Sequence, residues 1–265
     1  MMQAFIRGVS VCGPGLDGWT ASRPILANEQ DYVSRPVQLA IPNILAPNER
    51  RRTGAAVRLA LGVAQQASAM AEVSAGGIAS LFATSNSEGA VMHALLETLA
   101  ADAAVSPTQF HNSVHNAAAG YWSIGTGSRQ PAGCLSAHDA TAAAALLKAM
   151  ATVHVEQKPI LLCVFDVPMP EPLATLRPTA SSFGVGMVLV PRPAPGVMAE
   201  LTVSYQPGAA PPEDEAPRAA ALWDLAAGNP AARLLRLLES LALGVADSFA
   251  LTMLDGRLEV GLQPC

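Results

Sequence analysis

Short apolar segments alternate along this chain with segments of helical periodicity, and this alternation limits the possible folds more than any other feature. Residues 159–167, PILLCVFDV, form a continuous apolar run that is typical of a strand buried on both faces of a sheet. Further strands are predicted at residues 4–12, 77–84, 185–190 and 201–205. Strands that alternate with helices predict an α/β fold with a largely parallel sheet.

The remaining segments complete the expected order of elements. Helical spacing predicts helices over residues 49–72, 91–101, 140–152 and 231–245. Residues 24–47 are proline-spaced and predicted to be irregular, and residues 206–218 are proline-rich and acidic, as in a linker or exposed loop. A hairpin is predicted over residues 248–262, with its turn at Asp255-Gly256.

Composition and charge narrow the class of protein. Apolar residues make up 51% of the 265 residues and charged residues only 14%, so we expect a partner to cover part of the surface. The net charge of −5 and the lack of a long basic run argue against nucleic acid as a ligand. No apolar run approaches about 18 residues, so no membrane span is expected. Four scattered cysteines and the lack of a signal peptide predict a cytoplasmic protein.

One segment, GCLSAHDATAAAA at residues 133–145, has the pattern of a functional site. It begins as a strand, turns at Ser136-Ala137-His138-Asp139 and continues into a helix-forming alanine run. Enzymes often place a nucleophile at such a strand-to-helix elbow. The candidates for chemistry here are Cys134, Ser136, His138 and Asp139.

The surrounding sequence, FHNSVHNAAAGYWSIGTGSRQPAGCLSAHDATAAAAL, resembles the nucleophile region of the β-ketoacyl synthases, the condensing enzymes of fatty acid and polyketide synthesis. The family's Asn-Ala-Ala-Ala-Gly helix matches residues 116–120, and its turn matches Pro131. AFIRGVSVCGPG looks like its first strand, and FGVGMVLV looks like the glycine-rich strand that ends its N-terminal half. The resemblance covers residues 4–195.

This resemblance implies a thiolase-like fold, with the N-terminal half of the condensing-enzyme fold (βαβαβαββ) and a short C-terminal helix-hairpin extension. We therefore expect a half domain over residues 1–195. Residues 196–265 are expected to contribute a strand, a proline-rich loop, a helix and a hairpin packed on the same domain.

The family's catalytic cysteine falls on Asp139 when the segments are matched without gaps, with Ser136, Ala137 and His138 before it. A carboxylate is a poor nucleophile and holds no acyl chain as a thioester. A shift of one residue would place His138 there, which is no better for thioester chemistry. Cys134 lies five residues too early and is interpreted as a small buried hydrophobe. Asp139 is predicted to accept backbone N–H groups at the helix start. No catalytic residue is therefore expected.

The second half of a condensing enzyme supplies two active-site histidines, whereas this chain has no histidine beyond His154. The resemblance thus implies a non-condensing subunit similar to a chain-length factor, as in aryl polyene and related pigment pathways. Such a subunit forms a heterodimer with an active β-ketoacyl synthase and shapes its acyl tunnel. The uncharged strand of residues 132–137 pairs across the dimer in this family, so Cys134, Leu135 and Ala137 are the expected interface and tunnel residues.

Two alternatives stay open from the sequence. In the first alternative, the chain is a small acyl-transfer or hydrolytic enzyme that uses His138 with Cys134 or Ser136. In the second, it is a homodimeric structural or carrier-binding module. Arg50-Arg51-Arg52 would suit an acidic acyl carrier protein, although a solvated helix start explains them better. No cofactor or metal is expected, because His111 and His115 have no evident third ligand.

Overall fold

A nine-stranded mixed β-sheet runs through the part of the chain that the computed structural model describes, residues 1–210 and 216–265. Its main path follows the order β4-β3-β5-β6-β1-β7-β9-β8, and β2 pairs with β1. The strands are β1 (Met2–Gly13), β2 (Leu16–Asp17), β3 (Ala79–Ala83), β4 (Ala132–Leu135), β5 (Ile160–Asp166), β6 (Phe183–Val190), β7 (Ala199–Gln206), β8 (Asp247–Met253) and β9 (Gly256–Pro264).

The expectation of a largely parallel sheet is wrong. Among the described strands, only β4, β3 and β5 run parallel, with Phe82 of β3 in register with Cys134 on one side and Cys163 on the other. All other pairings are antiparallel, from β5–β6 to β8–β9. Helical crossovers link β3 to β4 and β4 to β5, and such crossovers allow parallel strands, whereas the short turn between β8 and β9 gives an antiparallel hairpin.

Helices cover both faces of this sheet. They are α1 (Gly18–Leu26), α2 (Pro47–Arg52), α3 (Ala55–Met70), α4 (Gly89–Ala100), α5 (Pro107–Asn112), α6 (Ala117–Thr126), α7 (Thr141–Glu156), α8 (Leu173–Leu176), α9 (Trp223–Gly228) and α10 (Leu235–Leu243). The buried apolar residues of α1, α7 and α10 form one cluster with the sheet, and those of α3 and α6 form a second cluster. The sheet is therefore the middle layer of an α/β/α arrangement.

The helix predicted over residues 49–72 is interrupted at Thr53-Gly54, which separates α2 from α3. The interruption has a tertiary cause. The buried carboxylate of Glu88 accepts the backbone N–H of Val57 in the first turn of α3, at 2.9 Å. A Cβ atom at residue 54 would lie 2.3 Å from Oε2 of Glu88, so this approach requires glycine. The carboxylate thus satisfies a free N–H group at the helix start.

Residues after 195 extend the same sheet. Strand β7 pairs with β1, and the predicted hairpin is confirmed as β8–β9, which pairs with β7 through β9. The hairpin turn is Leu254-Asp255, followed by Gly256 at φ +108°. The helix predicted over residues 231–245 begins with a 3₁₀ turn, Pro230–Leu234, before α10. Of the predicted linker at 206–218, residues 211–215 lie outside the described residues.

Strand β8 lies close to helix α7. It packs against α7 and against the 3₁₀ turn His138–Ala140 that precedes this helix. Phe249 and Leu251 of β8 belong to the same apolar cluster as the buried residues of α7. The C-terminal hairpin therefore covers part of α7.

Candidate functional site

The predicted strand-to-helix elbow is confirmed. Strand β4 leads through Ser136 and Ala137 into the 3₁₀ turn His138–Ala140, and α7 begins at Thr141. His138 has φ +52°, an uncommon conformation for a residue other than glycine. The hydroxyl of Thr141 donates to the carbonyl of His138 (2.6 Å) and accepts the N–H of Ala137 (2.9 Å). One side chain thus holds both sides of the turn.

Asp139 forms an ion pair at this elbow instead of the expected helix cap. Its Oδ1 lies 2.5 Å from Nη1 of Arg177, and its Oδ2 lies 3.5 Å from Nδ1 of His138. The side chain is 45% exposed, whereas that of Arg177 is 19% exposed. The residue at the expected nucleophile position is therefore a carboxylate that is paired with a partly buried cation.

The other predicted residues occupy different environments. Cys134 is half-buried on β4 and packs against the cluster of α3 and α6, while Leu135 packs against the cluster of α7. Ala137 is half-buried, and Ser136 and His138 are exposed. Burial raises the pKa of the Cys134 thiol, which is opposite to the shift of an activated catalytic thiol.

A buried polar network lies beside the elbow, at the carboxyl ends of β3 and β5. Asp166 is fully buried, and its Oδ1 accepts the hydroxyl of Thr84 (2.8 Å) and the backbone N–H groups of Ser85 (2.8 Å) and Asn86 (3.1 Å). Its Oδ2 has no hydrogen-bond partner among the described residues. Burial raises the pKa of Asp166, and the hydrogen bonds from Thr84 and Ser85 offset only part of that effect.

Asn86 connects this network to the elbow. Its Nδ2 donates to Thr179 Oγ1 (2.6 Å), and its Oδ1 accepts from Nε of Arg177 (3.2 Å). Asn229 donates to the backbone carbonyl of Asp166 (3.3 Å) and holds the loop before β6 through the carbonyl of Ser181 (2.7 Å). The chain of contacts therefore runs from buried Asp166 through Asn86 and Arg177 to Asp139.

None of the residues in this network was predicted from the sequence. Two signals were available: a polar turn follows the buried strand β3, and Asp166 ends the continuous apolar strand β5. The carboxyl ends of neighbouring parallel strands meet at one edge of a sheet, where polar side chains converge. No local pattern identifies Arg177, because it contacts Asp139 and Asn86 only in the folded chain.

The remaining candidates are surface residues. His111 meets the ring of Tyr121 edge-on, with centroids 6.2 Å apart. Arg51 bonds to Asn48, and Arg52 lies 3.4 Å from Glu49, so these two arginines pair within α2. Across residues 1–210 and 216–265, no three His, Cys, Asp or Glu side chains gather in a way that could hold a metal ion.

Exposed apolar side chains lie on helices α4, α5 and α6, which connect β3 to β4 along the chain. Strand β4 is an edge strand with no charged side chain, and α6 packs beside it. Helix α4 exposes apolar side chains one helical turn apart, at Met92, Leu96 and Leu99. Phe110 on α5 is 64% exposed. We call these helices, with their exposed apolar side chains, the α4–α6 surface; Val114 and Ile124 also belong to it.

Fold and elbow together define a protein of the thiolase-like class, with helices on both faces of a mixed sheet and a helix that starts at the elbow. The family model for the β-ketoacyl synthase N-terminal domain matches residues 23–228, which is more than half of the chain. The chain therefore belongs to the β-ketoacyl synthase family, through its N-terminal domain.

Solved structures share this fold. The chain is similar to one from the complex of the ketosynthase ApeO with its chain length factor ApeC from Xenorhabdus doucetiae, with a TM-score of 0.74, 18% identity, and 98% of this chain and 100% of that chain covered. It is also similar to the ishigamide ketosynthase/chain length factor, with a TM-score of 0.68, 13% identity and 99% of both chains covered. At these identities the likeness concerns the fold.

A third similar structure is AntDE:AntF, a type II polyketide synthase acyl-carrier protein in complex with its ketosynthase bound to the hexaketide. Its TM-score is 0.73 at 9% identity, with 100% of this chain and 99% of that chain covered. No curated protein matches the sequence. None of the described helices combines the length and the apolar character that a bilayer span requires.

Proposed function

We propose that this protein is a non-condensing subunit of the chain-length-factor type, which pairs with an active β-ketoacyl synthase and shapes the far end of its acyl tunnel. The pathway would be polyketide, fatty acid or polyene assembly, of which aryl polyene synthesis is one form, in the cytoplasm. The observation that carries this proposal is an elbow of the condensing-enzyme type with an ion-paired carboxylate in place of a thiol.

The chemistry of the elbow supports a non-condensing role. Condensation through a covalent intermediate needs a thiolate that accepts the acyl chain. Asp139 is occupied by Arg177, and the exposed imidazole of His138 gives no stable thioester. The thiol of Cys134 lies within strand β4, and burial disfavours its thiolate form. We therefore propose that no residue of this chain is catalytic in condensation.

The surface of the molecule supports a partner of the same fold. Strand β4 presents an uncharged edge, and such an edge readily pairs with a strand of another chain. The exposed apolar side chains of the α4–α6 surface belong to the helices between β3 and β4, of which α6 packs beside this edge strand, and their burial against a partner would be favourable. Cys134, Leu135 and Ala137 would then lie at or beside the subunit contact. An acyl carrier protein would be a further, transient partner.

The similar structures agree with this partner class. Two of them are described as ketosynthase and chain length factor together, and a third contains a ketosynthase with its acyl-carrier protein. In the first of these, the shared region covers the whole of the matched chain.

A condensation assay tests the proposal. The ketosynthase encoded nearest to this protein would be assayed with its loaded carrier protein, alone and with added subunit, and the carrier-bound products identified by mass spectrometry. We expect the subunit alone to form no product, and its addition to raise the yield or to narrow the range of product lengths. Product formed by the subunit alone, or an unchanged product profile, would reject the proposal.

A further inference from the structure

The guanidinium of Arg177 is held in place from behind, independently of Asp139. Its Nε donates to Oδ1 of Asn86 (3.2 Å), and the position of Asn86 is set by two further bonds. One goes from its Nδ2 to Thr179 (2.6 Å) and the other from its backbone N–H to the buried carboxylate of Asp166 (3.1 Å). Loss of the Asp139 side chain would therefore leave the guanidinium in its present position.

Of the two terminal nitrogens of Arg177, one is paired and the other has no partner among the described residues. Its Nη1 contacts Asp139, while its Nη2 is buried without a hydrogen-bond partner among the described residues. A guanidinium stays charged at all relevant pH values and presents its N–H groups as a planar fork that matches a carboxylate. The fork thus meets a carboxylate through one of its two terminal nitrogens.

Asp139 is the less constrained member of the pair. Its side chain is 45% exposed, and its other contact is His138 Nδ1 at 3.5 Å, itself on an exposed side chain. The second carboxylate nearby, Asp166, lies behind Asn86 and is fully buried, so it does not compete for the outer face of the guanidinium. The anion at this position is thus held mainly by Arg177.

We propose that Arg177 forms a binding site for a small carboxylate at the elbow, and that Asp139 is its internal occupant. Because Asp139 is attached to the same chain, its effective concentration at the guanidinium is high, and free carboxylates cannot displace it. The contact therefore closes the elbow to carboxylate ligands in the intact protein. This proposal concerns the chain alone and does not depend on a ketosynthase partner.

Removal of the internal occupant provides the test. The thermal midpoint of unfolding of D139A would be measured in sodium acetate and in sodium chloride at equal ionic strength. A ligand that binds only the folded state raises this midpoint. We expect D139A to unfold several degrees below wild type in chloride and to recover most of this loss in acetate, while wild type shows no acetate-specific shift. No acetate-specific shift in D139A would overturn the proposal.

Two further variants identify the residue that binds the acetate. D139A combined with Arg177→Lys keeps the positive charge but loses the planar fork, and we expect its acetate response to fall by at least half. D139N keeps a side-chain oxygen that accepts from Nη1, so it should respond less than D139A. Broadening of the ¹³C-acetate NMR signal by folded D139A gives a second readout that does not depend on stability. An equal acetate response in D139A and D139A/R177K would assign the binding to another site and overturn the proposal.

Discussion

At the level of single residues, the elbow carries a paired carboxylate at residue 139, the position where a nucleophilic thiol was expected. Arg177 provides a fixed positive charge there, and the carboxylate of Asp139 matches it in charge. A thiol at the same position would meet the same guanidinium, and a neighbouring cation stabilises a thiolate. The guanidinium of Arg177 beside the elbow would therefore stabilise either a carboxylate or a thiolate at residue 139.

The variant D139C tests this view of the elbow. We expect iodoacetamide to label the introduced thiol faster than Cys12 and Cys134, because Arg177 would lower the pKa of the introduced thiol, whereas burial raises the pKa of Cys12 to about 11 and also raises that of Cys134. The rate is measured by mass spectrometry of peptides after timed labelling. Slower labelling of D139C than of D139C/R177Q would contradict the assignment of Arg177.

A second residue-scale prediction concerns Asp247, at the start of β8. Burial alone would raise its pKa, but hydrogen bonds from Arg236 (2.9 Å) and Ser240 (2.6 Å) and the contact with Arg218 (2.8 Å) outweigh burial and hold the pKa well below its usual range. The folded-state pKa of Asp247 lies below the unfolded value of about 3.9. The ionised carboxylate therefore stabilises the folded protein above that pH, and this contribution is lost as the pH falls.

We therefore expect Asp247→Asn to lower the free energy of unfolding by about 2 kcal/mol at neutral pH. The difference from wild type should shrink as the pH falls below about 4. Urea unfolding over a series of pH values measures both effects. Asp31→Asn, in an exposed loop, is the control and should change stability little. A deficit in Asp247→Asn that persisted unchanged into acid would show that charge is not its cause.

At the level of elements, most strands and helices were predictable because their signals are local. The continuous apolar run of β5 and the Asp255-Gly256 pair at the last hairpin each indicate their structure within a few residues, although the turn itself is Leu254-Asp255, one residue earlier than predicted. Helix α1 was missed because Pro24 lies within it. The break before α3 was missed because its cause, Glu88, lies 31 residues from Val57 along the chain.

Local sequence signals also failed to predict the strand directions of the sheet and the ion pair of the site. Strand direction depends on which strands become neighbours, and the antiparallel pairing of β1 with β6 and β7 has no local signal. The elbow was visible in the sequence as a strand followed by an alanine-rich helix. Its partner Arg177 was not, because the ion pair joins side chains that only the tertiary fold brings together.

Two glycines near α3 provide a matched test of the Glu88 contact. Gly54→Ala would force a Cβ to within 2.3 Å of the carboxylate and displace it from the N–H of Val57. We expect a loss of about 1–3 kcal/mol in the free energy of unfolding. Gly62→Ala, in the middle of α3 with nothing within 4 Å of the new atom, should instead stabilise the protein, by about 0.5–1 kcal/mol. Chemical denaturation measures both, and equal effects of the two changes would refute the role of Glu88.

At the level of the whole molecule, the two ends of the sheet differ. At one end, the C-terminal hairpin adds β9 and β8 and packs against α7. At the other, the uncharged edge of β4 lies beside the α4–α6 surface. We propose that residues 196–265 complete the half domain of residues 1–195 on the side of α7, so that the side of β4 is left for a partner.

Two aspartate substitutions test which side meets the partner. Phe110→Asp would place a charge in the proposed contact, where its desolvation is unfavourable, and we expect it to weaken association with the ketosynthase at least tenfold. Leu254→Asp, at the hairpin turn and 75% exposed, removes a comparable exposed apolar side chain at a distant site and should leave association unchanged. Binding is measured by biolayer interferometry on folded variants. If Leu254→Asp were the more damaging change, the partner would bind the hairpin side.

The most direct test of the central claim is the mass of the complex. The protein would be co-expressed with the ketosynthase encoded nearest to it and analysed by size-exclusion chromatography with light scattering. We predict a one-to-one complex that survives the column. A stable monomer or homodimer that elutes apart from the ketosynthase would contradict the assignment as a ketosynthase subunit.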